Sequence, residues 1–129
     1  MKAFLAIKYY DDMRNKGLIE SICKNFESQK MDVFAFARNI QKYDANSFSG
    51  QNVMKIAFEE IKKTDIFIID ASEMSIGIGL EAGVAYCNNI PIYLIARKGC
   101  YVSNSIREIA KKSYFYSSPE ELSVWKIFD

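Results

Sequence analysis

The sequence predicts an α/β protein built on a doubly wound parallel sheet. Three observations carry this. Apolar, β-branched runs alternate with stretches of helical spacing along the whole chain. The run Asp65 to Asp70, DIFIID, is almost wholly apolar, as a strand covered by helices on both faces must be. A polar loop with Ser72, Ser75, Gly77 and Gly79 then leads into a helix-spaced stretch, and Pro91 closes that stretch before a second apolar run, Ile92 to Ala96. Strand, loop, helix and strand in that order make a βαβ unit.

The other elements fall around it. Ala3 to Ile7 reads as the first strand. Asp11 and Asp12 offer a helix start, and Leu18, Ile19, Ile22, Cys23 and Phe26 follow at helical spacing. Met31 to Ala37, MDVFAFA, reads as the second strand. Arg38 to Gly50 is polar and irregular, a loop long enough to be functional. Gln51 to Lys63 is a second helix with Met54, Ala57, Phe58 and Ile61 on its apolar side. The third helix begins at Gly79. Ser103 or Asn104 caps a fourth helix holding Ile106, Ile109 and Ala110. Ser113 to Tyr116 is a short fifth strand, and Ser118-Pro119-Glu120-Glu121 opens a last helix. Right-handed crossovers place helices on both faces. The expected strand order is 2-1-3-4-5, a flavodoxin-like sheet spanning residues 1–129 as one domain. Ligands in such sheets bind beyond the carboxyl ends of the strands, near the switch between strands 1 and 3.

Composition narrows the chemistry. The 129 residues suit one core, half are hydrophobic, and the net charge is +1. This gives no global argument for a nucleic-acid polymer or a membrane as partner. No apolar run is long enough to span a bilayer and the amino terminus does not read as a signal peptide, so a soluble, cytosolic protein is expected. Three widely spaced cysteines, Cys23, Cys87 and Cys100, make neither a disulfide framework nor a zinc site. Histidine is absent, which removes Ser-His-Asp and Cys-His nucleophile systems. Carboxylates, lysines, tyrosines, hydroxyls and backbone amides remain.

The candidate residues lie in the loops after the strands. In Ser75-Ile76-Gly77-Ile78-Gly79-Leu80-Glu81, the glycines allow close backbone approach and unusual φ, and amides at a helix start favour an anion. A tight turn needing glycine for steric reasons explains the same pattern. The spacing is neither a dinucleotide fingerprint nor a GKS/T phosphate loop. Glu81 is placed in the first turn of the third helix, where the dipole should hold its carboxylate ionised and suited to attack an electrophilic carbon. An ordinary dipole-complementing glutamate is the alternative. Asp70, ending strand 3, could bind a sugar hydroxyl, donate a proton, or only cap the loop. Lys8 could pair with phosphate and Tyr10 could stack on a base, or both could pack locally.

Residues 70–92, DASEMSIGIGLEAGVAYCNNIPI, resemble the signature of the nucleoside 2-deoxyribosyltransferase-like superfamily, and within it the 2′-deoxynucleoside 5′-monophosphate N-hydrolases. The resemblance implies that Glu81 is the nucleophile at C1′ of the sugar and that Ser75 and Gly77 hold a 5′-phosphate. It also implies a homodimer in which Ser103 serves the neighbouring subunit's site. The family usually carries an aspartate on helix 2 where this chain has Ala57, with Glu60 one helical turn further on. It also tends to have Gly-Ser or Gly-Pro after strand 1, where this chain has Ile7-Lys8.

The function expected from residues and resemblance together is metal- and cofactor-independent hydrolysis of the N-glycosidic bond of a (deoxy)nucleoside 5′-monophosphate. Glu81 and Asp70 would be catalytic, with Ser75, Gly77, Gly79, Lys8, Tyr10 and Ser103 around the substrate. The rivals are 2-deoxyribosyl transfer to an acceptor base and a nucleotide-binding module without catalysis. A phospho-receiver domain shares the sheet order, but Lys8-Tyr9-Tyr10 and Tyr116-Ser117 lack the acidic pair and the lysine it needs.

Overall fold

The computed structural model describes residues 1–43 and 52–128. Five parallel strands form one sheet in the order β2-β1-β3-β4-β5. They are β1 (Lys2–Ala6), β2 (Asp32–Ala35), β3 (Ile66–Asp70), β4 (Ile92–Arg97) and β5 (Lys112–Tyr116). The helices are α1 (Lys16–Ser28), α2 (Phe36–Asn39), α3 (Val53–Lys62), α4 (Ile76–Cys87), α5 (Asn104–Ile109) and α6 (Val124–Phe128). The expected doubly wound α/β architecture and strand order are those observed.

Alternation along each strand builds two cores, one on each face. Ala3, Leu5, Val33, Ile66, Ile68 and Ile95 face α1, with Ile19, Ile22, Cys23 and Phe26 packed on them. Phe4, Phe34, Phe67, Ile69, Ile92 and Leu94 face the other way, onto Ala57 and Ile61 of α3 and Ile78, Ala82 and Ala85 of α4. The Phe4 ring stacks on Phe67 at 5.4 Å, which locks β1 to β3 on that face. Every residue of β3 is buried, as its apolar sequence requires. Cys23 is buried, and burial pushes its thiol up to about 12; Cys87 is exposed and Cys100 half-buried, all three free. Among the described residues no helix is long and apolar enough to cross a membrane.

Several boundaries differ from those expected, each for a local reason. The first helix starts at Lys16, not at Asp11-Asp12. Met13 adopts φ 54° in a turn closed by its N–H to the Tyr10 carbonyl, and Asp12 accepts from Arg14. The second strand stops at Ala35, and Phe36–Asn39 turns helical. Asn39 accepts from the Ala35 N–H, and Arg38 reaches back to Glu27 of α1 at 3.0 Å. Of the expected 38–50 loop, residues 44–50 lie outside the described residues, as does Gln51 of the expected second helix. The third helix begins at Ile76, three residues before the expected Gly79, because Ser75 caps it by accepting from the Ile78 N–H. The last helix is split into a 3₁₀ turn at Pro119–Glu121 and α6, with the Val124 N–H donated to Gln29, which follows α1.

At the carboxyl edge, Asp70 ties three strands together. Its Oδ2 accepts from the Tyr116 hydroxyl at 2.6 Å and its Oδ1 from the Ser72 N–H at 2.9 Å. Ser72 Oγ in turn accepts from the Arg97 N–H at 2.8 Å. Burial, and then the Asp70 charge, push the Tyr116 hydroxyl well above its ordinary pKa, so it remains a donor. Tyr116→Phe removes the donor from a buried carboxylate and should cost about 1–3 kcal/mol in urea unfolding. An unchanged midpoint would show that the bond carries no stability.

Candidate active site

Two cavities open at the carboxyl end of the sheet, divided by the end of β1. The larger, about 470 Å³, lies on the α3–α4 side. It is bounded by β1 and Ile7, by Phe36 and Ala37 of α2, by Met54 and Ala57 of α3, and by Ser75, Gly77, Ile78 and Glu81 of α4. Tyr9, Asp11 and Gln41 complete its polar fringe. The smaller, about 180 Å³, is lined by Lys8, Tyr10, Arg14, Asp70, Ser72 and Arg97, among others. A cavity at this edge of a parallel sheet is where ligands of such folds are held.

The structure brings Ser75, Gly77 and Glu81 together on the larger cavity. It does not bring the other sequence candidates there. Asp70 lies on the same face of β3 as Ile66 and Ile68, opposite to the face α4 covers; it lines the smaller cavity and is 2% exposed. Both its carboxylate oxygens accept hydrogen bonds from protein groups, a structural use. Lys8 and Tyr10 also line the smaller cavity, with the Lys8 ammonium 5.4 Å and the Arg14 guanidinium 4.6 Å from the Tyr10 ring. Gly79 sits on the exposed outer side of α4 and lines neither cavity. Ser103 caps α5, accepting from the Ser105 N–H at 3.3 Å, and lines neither cavity. Glu60 is turned to Lys63 at 3.2 Å and Lys2 at 3.9 Å and is absent from the cavity wall, so it does not replace the aspartate missing at Ala57.

Other residues of the segments that follow strands 1 and 2 take part instead. Ile7, Tyr9 and Asp11 line the larger cavity while Lys8 and Tyr10 line the smaller. That is the alternation of an extended segment leaving a strand, and strand parity is the signal that could have sorted them. Gln41 and Phe36 arrive through the short helix α2, which the strand-like sequence MDVFAFA conceals.

The electrostatics of Glu81 reverse the expectation. Helix α4 starts at Ile76, so Glu81 stands in the second turn rather than the first. The dipole's influence falls off within one turn. Burial dominates instead: the half-buried carboxyl, set among apolar groups, is pushed up from 4.5 to about 7. Its titration therefore falls near neutral pH, and its anion is poorly solvated.

The glycines of α4 are also not what a tight turn would need. Gly77 and Gly79 lie within the helix, and the left-handed glycine among the described residues is Gly99. A Cβ built on Gly77 would meet Met54 Sδ at 3.8 Å and Ser75 Oγ at 3.9 Å, ordinary contact distances. The fold thus leaves room for alanine at 77. The missing side chain keeps the wall of the cavity open between Ser75 and Glu81.

No protein-family model matches the chain, and no curated protein does. Solved structures do. A CMP N-glycosidase from Clostridium botulinum, BcmB, is 22% identical over 94% of this chain and 93% of that one, with a TM-score of 0.65. A 2-deoxyribosyltransferase from the psychrotolerant bacterium Bacillus psychrosaccharolyticus is 20% identical over 98% and 95%, with a TM-score of 0.73. The solution structure of BlsM is 18% identical over 92% and 82%, with a TM-score of 0.68. At these identities the likeness is one of fold: the chain has a nucleoside 2-deoxyribosyltransferase-like fold.

Proposed function

We propose that the chain cleaves the N-glycosidic bond of a nucleoside-type substrate, with Glu81 as nucleophile at C1′ of the sugar. The observation that carries this is the Glu81 carboxyl on the wall of the larger cavity beside Ser75 and Gly77, at the ligand-binding edge of the sheet. Glu81 Oε bonds to C1′ as the C1′–N bond breaks and its electron pair leaves with the base. The transition state is oxocarbenium-like, and the second displacement regenerates the carboxylate. Water as second nucleophile gives hydrolysis, and a free base gives 2-deoxyribosyl transfer. A desolvated carboxylate is the better nucleophile, since little hydration has to be stripped from it. Ser75 accepts the Ile78 N–H and retains a hydroxyl proton to donate to the sugar's 5′ end. Binding without turnover is the second reading; it is favoured by Ala57 at the position where the family carries an aspartate.

The proposal includes a homodimer. Ile76, Leu80 and Tyr86 are exposed on one side of α4, with Gly79, Gly83 and Cys87 between them; Ile76 is 85% exposed. Apart from its chain neighbours and the backbone of α4 itself, nothing lies within 4 Å of a Cβ built on Gly79 or Gly83. A helix apolar on this side as well as on the core side is usually covered. A second copy covering it would bring the Ser103 region of one subunit towards the site of the other.

Base release from deoxynucleosides and their monophosphates should fall by at least a thousandfold in Glu81→Gln. In the wild type, kcat/KM should fall about tenfold per pH unit below about 7, because the nucleophile is the ionised form. Equal rates in variant and wild type would remove Glu81 from the mechanism. Gly77→Ala should leave thermal stability unchanged or raised by up to ~1 kcal/mol while weakening substrate binding. Weakened stability with unchanged binding would contradict this use of the glycine. By light scattering the wild type should be a dimer and Leu80→Glu a monomer; a monomeric wild type refutes the dimer.

A further inference from the structure

The charged side chains on the larger cavity are all acids. Asp11 and Glu81 line it, and no Lys or Arg does so among the described residues. The sequence of residues 44–51, DANSFSGQ, has none to contribute either. The remaining wall is mostly apolar, with Tyr9, Gln41 and Ser75 as its neutral polar groups. The cations at this edge, Lys8, Arg14 and Arg97, line the smaller cavity instead, and Ile7 is the one described residue common to both.

Resting on the reading of Glu81 as nucleophile, we propose that the substrate is the uncharged nucleoside rather than its 5′-phosphate, and that Asp11 sets this preference. A phosphate dianion in this cavity would be opposed by the Asp11 carboxylate and by the Glu81 carboxylate, which has to be ionised to attack. Against them stands the amino end of α4, equivalent to about half a positive charge. Two negative charges, that of Glu81 set in an apolar wall and that of Asp11 at the solvent-screened rim, outweigh the helix end. A nucleoside brings hydroxyl and base N–H donors instead, which acceptor-only carboxylates suit. Asp11 is exposed at the rim, so its charge can be changed without disturbing the core.

The test compares kcat/KM for base release from deoxynucleosides and their 5′-monophosphates, in wild type, Asp11→Asn and Asp11→Lys, at low and high salt. The wild type should favour nucleosides at least tenfold. The ratio should narrow severalfold in Asp11→Asn, narrow further in Asp11→Lys, and narrow with salt. Monophosphates processed as well as or better than nucleosides would overturn the preference while leaving the role of Glu81 intact. A ratio indifferent to the charge at position 11 would overturn the assignment to Asp11. No base released from either substrate by the wild type would overturn the Glu81 reading, and the preference with it.

Discussion

Burial of β3 on both faces is the constraint from which the carboxyl end of the sheet takes its shape. Five residues in a row, Ile66 to Asp70, are buried. The chain must therefore cross over β3 with helices on both faces, and the loop leaving the strand emerges at one edge. There Asp70, buried with its strand, is held by Tyr116 and Ser72. Three residues after Ser72, Ser75 turns the chain into α4 and aims Glu81 back over the opposite face. One acid stabilises the edge and the other is left facing the cavity, because they stand on opposite sides of the same sheet.

The contest at Glu81 is between a helix end and an apolar wall. A dipole worth about 0.3–1 kcal/mol at an exposed first turn acts weakly in the second turn, and loss of hydration outweighs it. The outcome is a carboxyl near 7, in the range where a single group can be anion or acid at neutral pH. The energetic cost of placing it there is a local instability that the apolar packing of α4 on Ala57, Ile61 and Ile69 has to offset.

The fold is legible in the sequence because its signals are long and redundant: doubly buried strands, helical spacing and a closing proline all favour one strand order. The site is legible only in part. Ser75, Gly77 and Glu81 belong to one continuous motif, so sequence proximity carries over to space. Grouping Asp70, Lys8 and Tyr10 with them for being at strand ends ignores the parity that sends alternate residues to opposite faces. The start of α4 is misplaced when glycine is read as a breaker, while the serine cap, a stronger signal, lies four residues earlier. Gln41 and Phe36 depend on a four-residue helix whose cause, the Asn39 and Arg38 contacts, is tertiary.

Three glycines within the twelve residues of α4 have a further consequence. At about 0.8–1 kcal/mol each relative to alanine in a helix interior, and with Glu81 as its only charged residue, this segment is a poor helix in isolation. Its order comes from the sheet beneath it. The position of the Glu81 carboxyl is thus set by the strands beneath α4 rather than by the helix itself.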